Sequence, residues 1–236
     1  MTIKDRGLRI LNLATYNAFN QPELVEKFQI QCPYDNQYIL RMLVRKGLDD
    51  YLIPSELSWI KSLLFRAGKY QNEQISIRHS FCYITIRRGL VRSVTDDEWH
   101  VDGFSTRISH IPEQNYIWSD VWPTEFMIKP IEFPTEFNPV KHNIHKFIQS
   151  AISESDEIQV AQENSLYCFD PYVIHRRPNI PKNVKRTMVR ISFTPIEIQD
   201  KNNTPNPLME GKDIYNRDGV KEFRNQLICF SKHDYE

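Results

Sequence analysis

The sequence predicts a mainly β protein with flanking helices. Three observations lead there. Apolar residues recur at helical spacing through roughly residues 7–75. From Ile75 the period shifts to two, and strand-like segments recur at short spacing as far as Ile198. No low-complexity linker separates the two blocks. A helical block followed by closely spaced strands fits an all-β barrel or sandwich covered by helices.

The helical block holds three candidate helices. Gln21 to Phe28 has Pro22 at its start and acidic Glu23 in its first turn, both of which favour helix initiation. Asn36 to Lys46 places Ile39, Leu40, Leu43 and Val44 on one stripe, with Gly47 as a stop. Ser55 opens a third helix behind Pro54, buries Leu57, Ile60, Leu64 and Phe65, and closes at Gly68. These stripes are expected to pack on a sheet.

The β block begins with Ile75 to Ile86, which alternates and is rich in β-branched and aromatic residues. Arg87-Arg88-Gly89 is expected to end that strand. Trp99 to Phe104 and Asn115 to Trp122 follow as short strands. Asn138 to Ile152 is an amphipathic helix. Ile158 to Val160, Leu166 to Phe169, Tyr172 to His175 and Val184 to Ile198 complete the strands. Asn202 to Pro207 breaks the tail, and a last helix is expected near Val220 to Phe230. The 236 residues are expected to form one domain: a helical N-terminal layer (1–74), a β core (75–198) and a C-terminal extension (199–236). That length allows a full core.

Composition is that of a soluble globular chain, at 40% hydrophobic and 25% charged. Lys+Arg and Asp+Glu both number 30, so no net field draws in nucleic acid or a membrane. No apolar run resembles a signal peptide or a membrane span. Cys32, Cys82, Cys168 and Cys229 are scattered and form no metal-binding pair, which predicts reduced thiols and a cytoplasmic location.

The chemistry starts at Glu98-Trp99-His100-Val101-Asp102-Gly103-Phe104. Residues i and i+2 of a strand share a face, so His100 and Asp102 can reach one ion while Val101 turns into packing. His175 ends a later apolar strand and supplies a third ligand. Two histidines and one carboxylate on one side of an ion leave positions open for a chelating co-substrate and O2, the pattern of non-haem Fe(II) oxygenases. A His-x-Asp tripeptide alone is common. Its weight comes from His175 and from the strand that follows.

That strand carries Arg186, Met188, Arg190 and Ser192 on one face. A buried arginine is costly unless it meets an anion. A dicarboxylate co-substrate supplies one and pairs with guanidinium in a bidentate fork.

His100-x-Asp102, His175, Arg186 and Arg190-Ile191-Ser192 together resemble the Fe(II)/2-oxoglutarate-dependent dioxygenase superfamily over roughly residues 75–198. The resemblance implies a double-stranded β-helix (jelly-roll) core. It implies Fe(II) held by His100, Asp102 and His175, which are then both metal ligands and catalytic residues. It implies 2-oxoglutarate bound through its far carboxylate by a basic residue on the strand after the distal histidine. Arg186 stands at a spacing common in the family, and Arg190-x-Ser192 has the look of another branch. Arg186 is ranked first for 2-oxoglutarate, with Arg190 left for a substrate anion. Thr124 resembles a threonine that some members use as an auxiliary 2-oxoglutarate contact.

The implied reaction couples O2 and 2-oxoglutarate to succinate and CO2. It hydroxylates an unactivated C–H bond of a small polar or amino-acid-like metabolite. Asp102 argues against halogenation, because halogenating relatives lack that carboxylate. Desaturation, cyclisation and demethylation stay open. So does a protein or peptide side-chain hydroxylase of the same fold. A cupin-like metal-binding barrel without 2-oxoglutarate is the rival from another class, and the facing of Arg186 and Arg190 discriminates it. Nucleic acid is disfavoured as a partner.

Other features read as structural. His79 sits beside the core, and His142 and His145 lie on a solvated helix surface. Tyr83, Thr85, Tyr116 and Trp118 either line the barrel interior or fill it. Arg176-Arg177 flanks the mouth of the site or forms a solvated turn.

Overall fold

The computed structural model describes residues 21–47, 50–74, 79–91, 98–102, 113–128, 131, 134, 136–137, 141–153, 156–169, 173–180, 183–198, 200 and 202–209. The predicted helix at 220–230 lies outside these, as do residues 75–78 of the first predicted strand and 103–104 of the second.

The described chain is mainly antiparallel β with two α-helices. Strands β1 (Glu23–Lys27) and β2 (Gln37–Lys46) come first. A 3-10 turn (Ser55–Ile60) leads into α1 (Lys61–Gln74). β3 (Phe81–Val91), β4 (Gln114–Ser119) and β5 (Glu125–Met127) follow. Then come α2 (Ile144–Ala151), β6 (Ile158–Val160), β7 (Ser165–Phe169), β8 (His175–Arg176) and β9 (Val184–Thr194). A six-stranded sheet runs β1-β7-β4-β9-β3-β2, and a three-stranded sheet runs β6-β5-β8.

The first two expected helices are strands. β2 explains why its spacing misleads. Its pairing with β3 shifts register between Ile39 and Met42 and again between Leu43 and Arg45. Each bulge adds a residue and resets the alternation. Ile39, Met42 and Val44 therefore share the core side, and the interval of three imitates a helical stripe. Arg41 is the left-handed residue of the first bulge, with φ 43°. β1 is an edge strand on β7, and Glu23, Glu26 and Lys27 on it discourage pairing with another chain.

The third helix is present and outlasts its expected stop, since α1 continues through Gly68 to Gln74. β3 likewise runs through Gly89 to Val91. Gly89 has φ 155°, and a Cβ there would stand 2.8 Å from Asn36 Oδ1, so glycine lets the strand continue past a close neighbour. α2 begins later than expected, where Asn143 Oδ1 accepts from the His145 and Lys146 amides and caps it. β9 ends at Thr194, short of Ile198.

Three apolar clusters layer the molecule. The 3-10 turn and α1 pack Leu57, Ile60, Leu63, Leu64 and Ala67 on the outer face of the large sheet, against Ile84, Tyr116, Leu166, Val189 and Phe193. α2 packs Phe147 and Ile148 against Trp99, Val101, Met127 and Ile174 on the outer side of the small sheet. Between the sheets lie Ile117, Tyr167 and Phe169 of the large sheet, Phe126 of the small one, Ala161 and Val173, with Met188 packed against them. Period two then turns Arg186, Arg190 and Ser192 to the same inner face as Met188. No helix among the described residues is long and apolar enough to cross a membrane.

Candidate metal centre

His100 extends the small sheet. It forms an antiparallel bridge with His175, each amide donating to the other's carbonyl at 3.0 and 2.9 Å. His175 in turn pairs with Phe126 on β5. The bridge sets the two imidazoles side by side, with centroids 4.5 Å apart. Val101 is buried against Trp99 and Ile174 under α2, and Asp102 returns to the inner side. One ligand atom from each of His100, Asp102 and His175 lies within 4.8 Å of the other two. These are the three ligands expected from sequence.

Each histidine is oriented by a carbonyl two residues before it. His100 Nδ1 is 2.8 Å from Glu98 O, and His175 Nδ1 is 2.9 Å from Val173 O. A carbonyl only accepts, so both Nδ1 atoms carry protons and both Nε2 lone pairs are left for an ion. Burial, and then the neighbouring His175, hold His100 below the usual histidine pKa. Phe169 and Phe126 flank the His175 ring at 5.1 and 6.3 Å.

Asp102 meets opposing effects. Burial pushes its pKa up, but Arg190 and then His175 and His100 pull harder, and it lies well below the usual carboxylate range. Its Oδ2 is 3.4 Å from His175 Nε2 and 2.7 Å from Arg190 Nη1. That oxygen is buried, and the Arg190 guanidinium is its nearest described partner. A buried anionic oxygen with spare lone-pair capacity beside two imidazole nitrogens fits a divalent cation, and the donor set leaves several positions of that ion open.

The two arginines have different surroundings. Arg190 touches Asp102, lies 3.6 Å from Glu113 Oε1 through Nη2, and donates from Nε to Ser192 Oγ at 3.3 Å. Ser192 Oγ donates to Asn115 Oδ1 at 2.6 Å. Arg186 stands four residues further back, about 13 Å along the strand. It donates to Val121 O at 3.2 Å and to Ser119 Oγ at 3.0 Å, both neutral acceptors. Nearby Asp120 is already taken up by Arg88, Thr187 and the Val121 amide. Burial drives Arg186 down to about 10, the Asp120 carboxylate pulls it back up in part, and Arg177 and Arg87 push it down again. Among the described residues Arg186 is a buried cation that ion-pairs with no carboxylate, and Asp120 offsets its charge only from a distance.

The remaining sequence expectations divide. Thr124 is buried two residues ahead of Phe126, and its carbonyl accepts from Ala161 N. Tyr83 and Thr85 lie on the inner face of β3, opposite Ser192 and Arg190. Tyr116 and Trp118 face α1 instead and belong to the outer core. Arg176 ion-pairs with Glu125 at 2.6 Å and lies over Trp99, which fixes it on the far side of the small sheet. His79 contacts Gln71 in the buried layer under α1. Glu113 and Asn115 went unnoticed in the sequence. Their signal is faint, because Glu113, Gln114 and Asn115 form one polar run at the head of the strand and nothing in that run marks which members turn inward.

Fold and site together define a β-rich protein with a two-histidine, one-carboxylate group able to hold a metal ion. No family model matches the chain, and no curated protein matches it. Among solved structures, AviO1 from Streptomyces viridochromogenes Tue57 is similar at 14% identity and a TM-score of 0.34, over 87% of this chain and 86% of that one. That likeness is too distant to carry an activity across.

Proposed function

We propose that the protein is an Fe(II)/2-oxoglutarate-dependent dioxygenase with a jelly-roll core, hydroxylating an unactivated C–H bond of a small polar or amino-acid-like metabolite. The observation that carries this is the pairing of an open His100, Asp102 and His175 group with Arg186, a buried cation on the facing side of the large sheet. Two imidazoles and a carboxylate suit Fe(II). Iron bound there supplies O2 activation coupled to oxidative decarboxylation of 2-oxoglutarate to succinate and CO2.

The chain's own residues bind and orient. His100 and His175 present Nε2, held by the Glu98 and Val173 carbonyls. Asp102 supplies the anionic ligand. Arg186 takes the far carboxylate of the co-substrate, because its hydrogen-bond acceptors are neutral and Asp120 offsets its charge only in part. Arg190 is already neutralised by Asp102 and Glu113, so it is the poorer anion site. Phe126, Phe169 and Ile117 keep water from the inner side.

The test is anaerobic addition of Fe(II) and then 2-oxoglutarate to folded protein. The expected result is a weak visible charge-transfer band and, on admitting air, slow substrate-independent succinate formation. His100→Ala and Asp102→Ala each abolish both. Iron-loaded, folded protein without the band would overturn the 2-oxoglutarate reading and leave a metal-binding barrel.

A further inference from the structure

We propose that Arg190 is a positioning residue for the metal ligand Asp102, held in place by Glu113 and Ser192, rather than a binding site for an anion. The inference rests on the metal-site reading and is independent of 2-oxoglutarate. Asp102 stands on the small-sheet side and Arg190 on the large sheet, 2.7 Å apart across the gap. Asp102 lies just beyond the short bridge at His100, and no regular strand holds it. Arg190 has the opposite support. Its strand is paired on both sides, with Thr85 opposite on β3 and Ile117 opposite on β4.

The guanidinium is fixed at three points. Nη1 meets Asp102, Nη2 faces Glu113 and Nε donates to Ser192, whose hydroxyl is locked on Asn115. Glu113 is 2% exposed, and its Oε1 also lies 3.8 Å from Arg41. A planar fork anchored this way can steer a carboxylate to one orientation, which an ammonium on a flexible stem does less well. Partners that orient metal-ligating carboxylates typically affect metal affinity 10–100-fold.

A positive charge beside a metal ion also repels it, so the sign of Arg190's effect is informative. Acting through Asp102, it strengthens metal binding. Without Asp102 only repulsion remains. The experiment titrates Co(II) alone, as an air-stable stand-in for Fe(II), by calorimetry under buffered conditions, with the melting temperature of each metal-free variant measured alongside. Arg190→Met is expected to weaken Co(II) binding about tenfold or more. Arg190→Lys should fall between it and the parent, and Glu113→Gln should weaken binding severalfold.

In an Asp102→Ala background, two imidazoles still retain weak Ni(II) binding. There Arg190→Met is expected to strengthen Ni(II) binding. Unchanged or tighter Co(II) binding in a folded Arg190→Met variant overturns the proposal. So does an equal weakening of Ni(II) binding when Asp102 is absent, because a merely structural role would lower both. If Arg190→Met fails to fold, Arg190→Lys and Glu113→Gln decide by the same criterion. Parent protein that binds no Co(II) would instead overturn the metal-site reading.

Discussion

Arg186 and Arg190 lie four positions apart on one inner strand face, and their neighbours separate them. Arg190 faces two carboxylates, whereas Arg186 faces a carbonyl and a hydroxyl. Hydrogen bonds to charged groups contribute about 1.5–3 kcal/mol, which corresponds to roughly 10–150-fold in affinity. Arg186→Met is therefore expected to raise the KM for 2-oxoglutarate by that order while leaving Co(II) affinity unchanged, and Arg186→Lys should recover part of the loss. Steady-state kinetics and metal titration on the same preparations check it. Loss of metal binding in Arg186→Met would mean that the residue supports the fold rather than the co-substrate. The candidate metal group was legible in sequence because His100-x-Asp102 is followed by His175 at the end of an apolar segment, and the structure brings the three together. The division between the arginines was not, because it depends on Glu113 and Asp120, whose places at these side chains come from tertiary contacts.

At the scale of elements, periodicity succeeded where strands were regular and failed where they were bulged. β3, β7 and β9 carry no extra residue at any register shift and were expected as strands, although β3 runs past its expected end to Val91. β2 carries two register shifts, and its apolar spacing came to resemble that of a helix. β1 is only five residues long and exposed at the edge, so Pro22 and Glu23 outweighed a faint strand signal. α1 shows the reverse error at Gly68. Glycine looked like a stop, yet its role is to clear a path for Tyr51, whose hydroxyl end fills the space that a Cβ would take. Tyr51 is held there, with its hydroxyl accepting from Arg45 Nη1 at 3.2 Å. Alanine is the better helix former by about 1 kcal/mol, but overpacking costs about 1–3 kcal/mol. Gly68→Ala is therefore expected to destabilise the protein in urea unfolding. Removing the obstructing hydroxyl with Tyr51→Phe in the same chain should return part of the loss. A stabilising Gly68→Ala would show that Tyr51 moves aside freely.

At the scale of the molecule, the Asp102–Arg190 ion pair joins the candidate metal group to the large sheet, beside the apolar cluster between the layers. His100, Asp102 and His175 belong to the small-sheet side, while Arg190, Glu113 and Ser192 belong to the large sheet. Phe126, Phe169 and Tyr167 close the space between them. An ion at this seam would tie together segments far apart in sequence, so its binding should stabilise the whole fold rather than one loop. A ligand at 100 times its Kd adds about 2.7 kcal/mol to the folded state. For a chain of this size that corresponds to roughly 5–11 °C in Tm. Saturating Co(II) is expected to raise the single calorimetric transition by that amount, and EDTA should reverse it. Asp102→Ala should show no shift. A rise confined to a minor transition would place the ion in a locally folding segment, and the sheets would then owe their cohesion to the aromatic cluster alone.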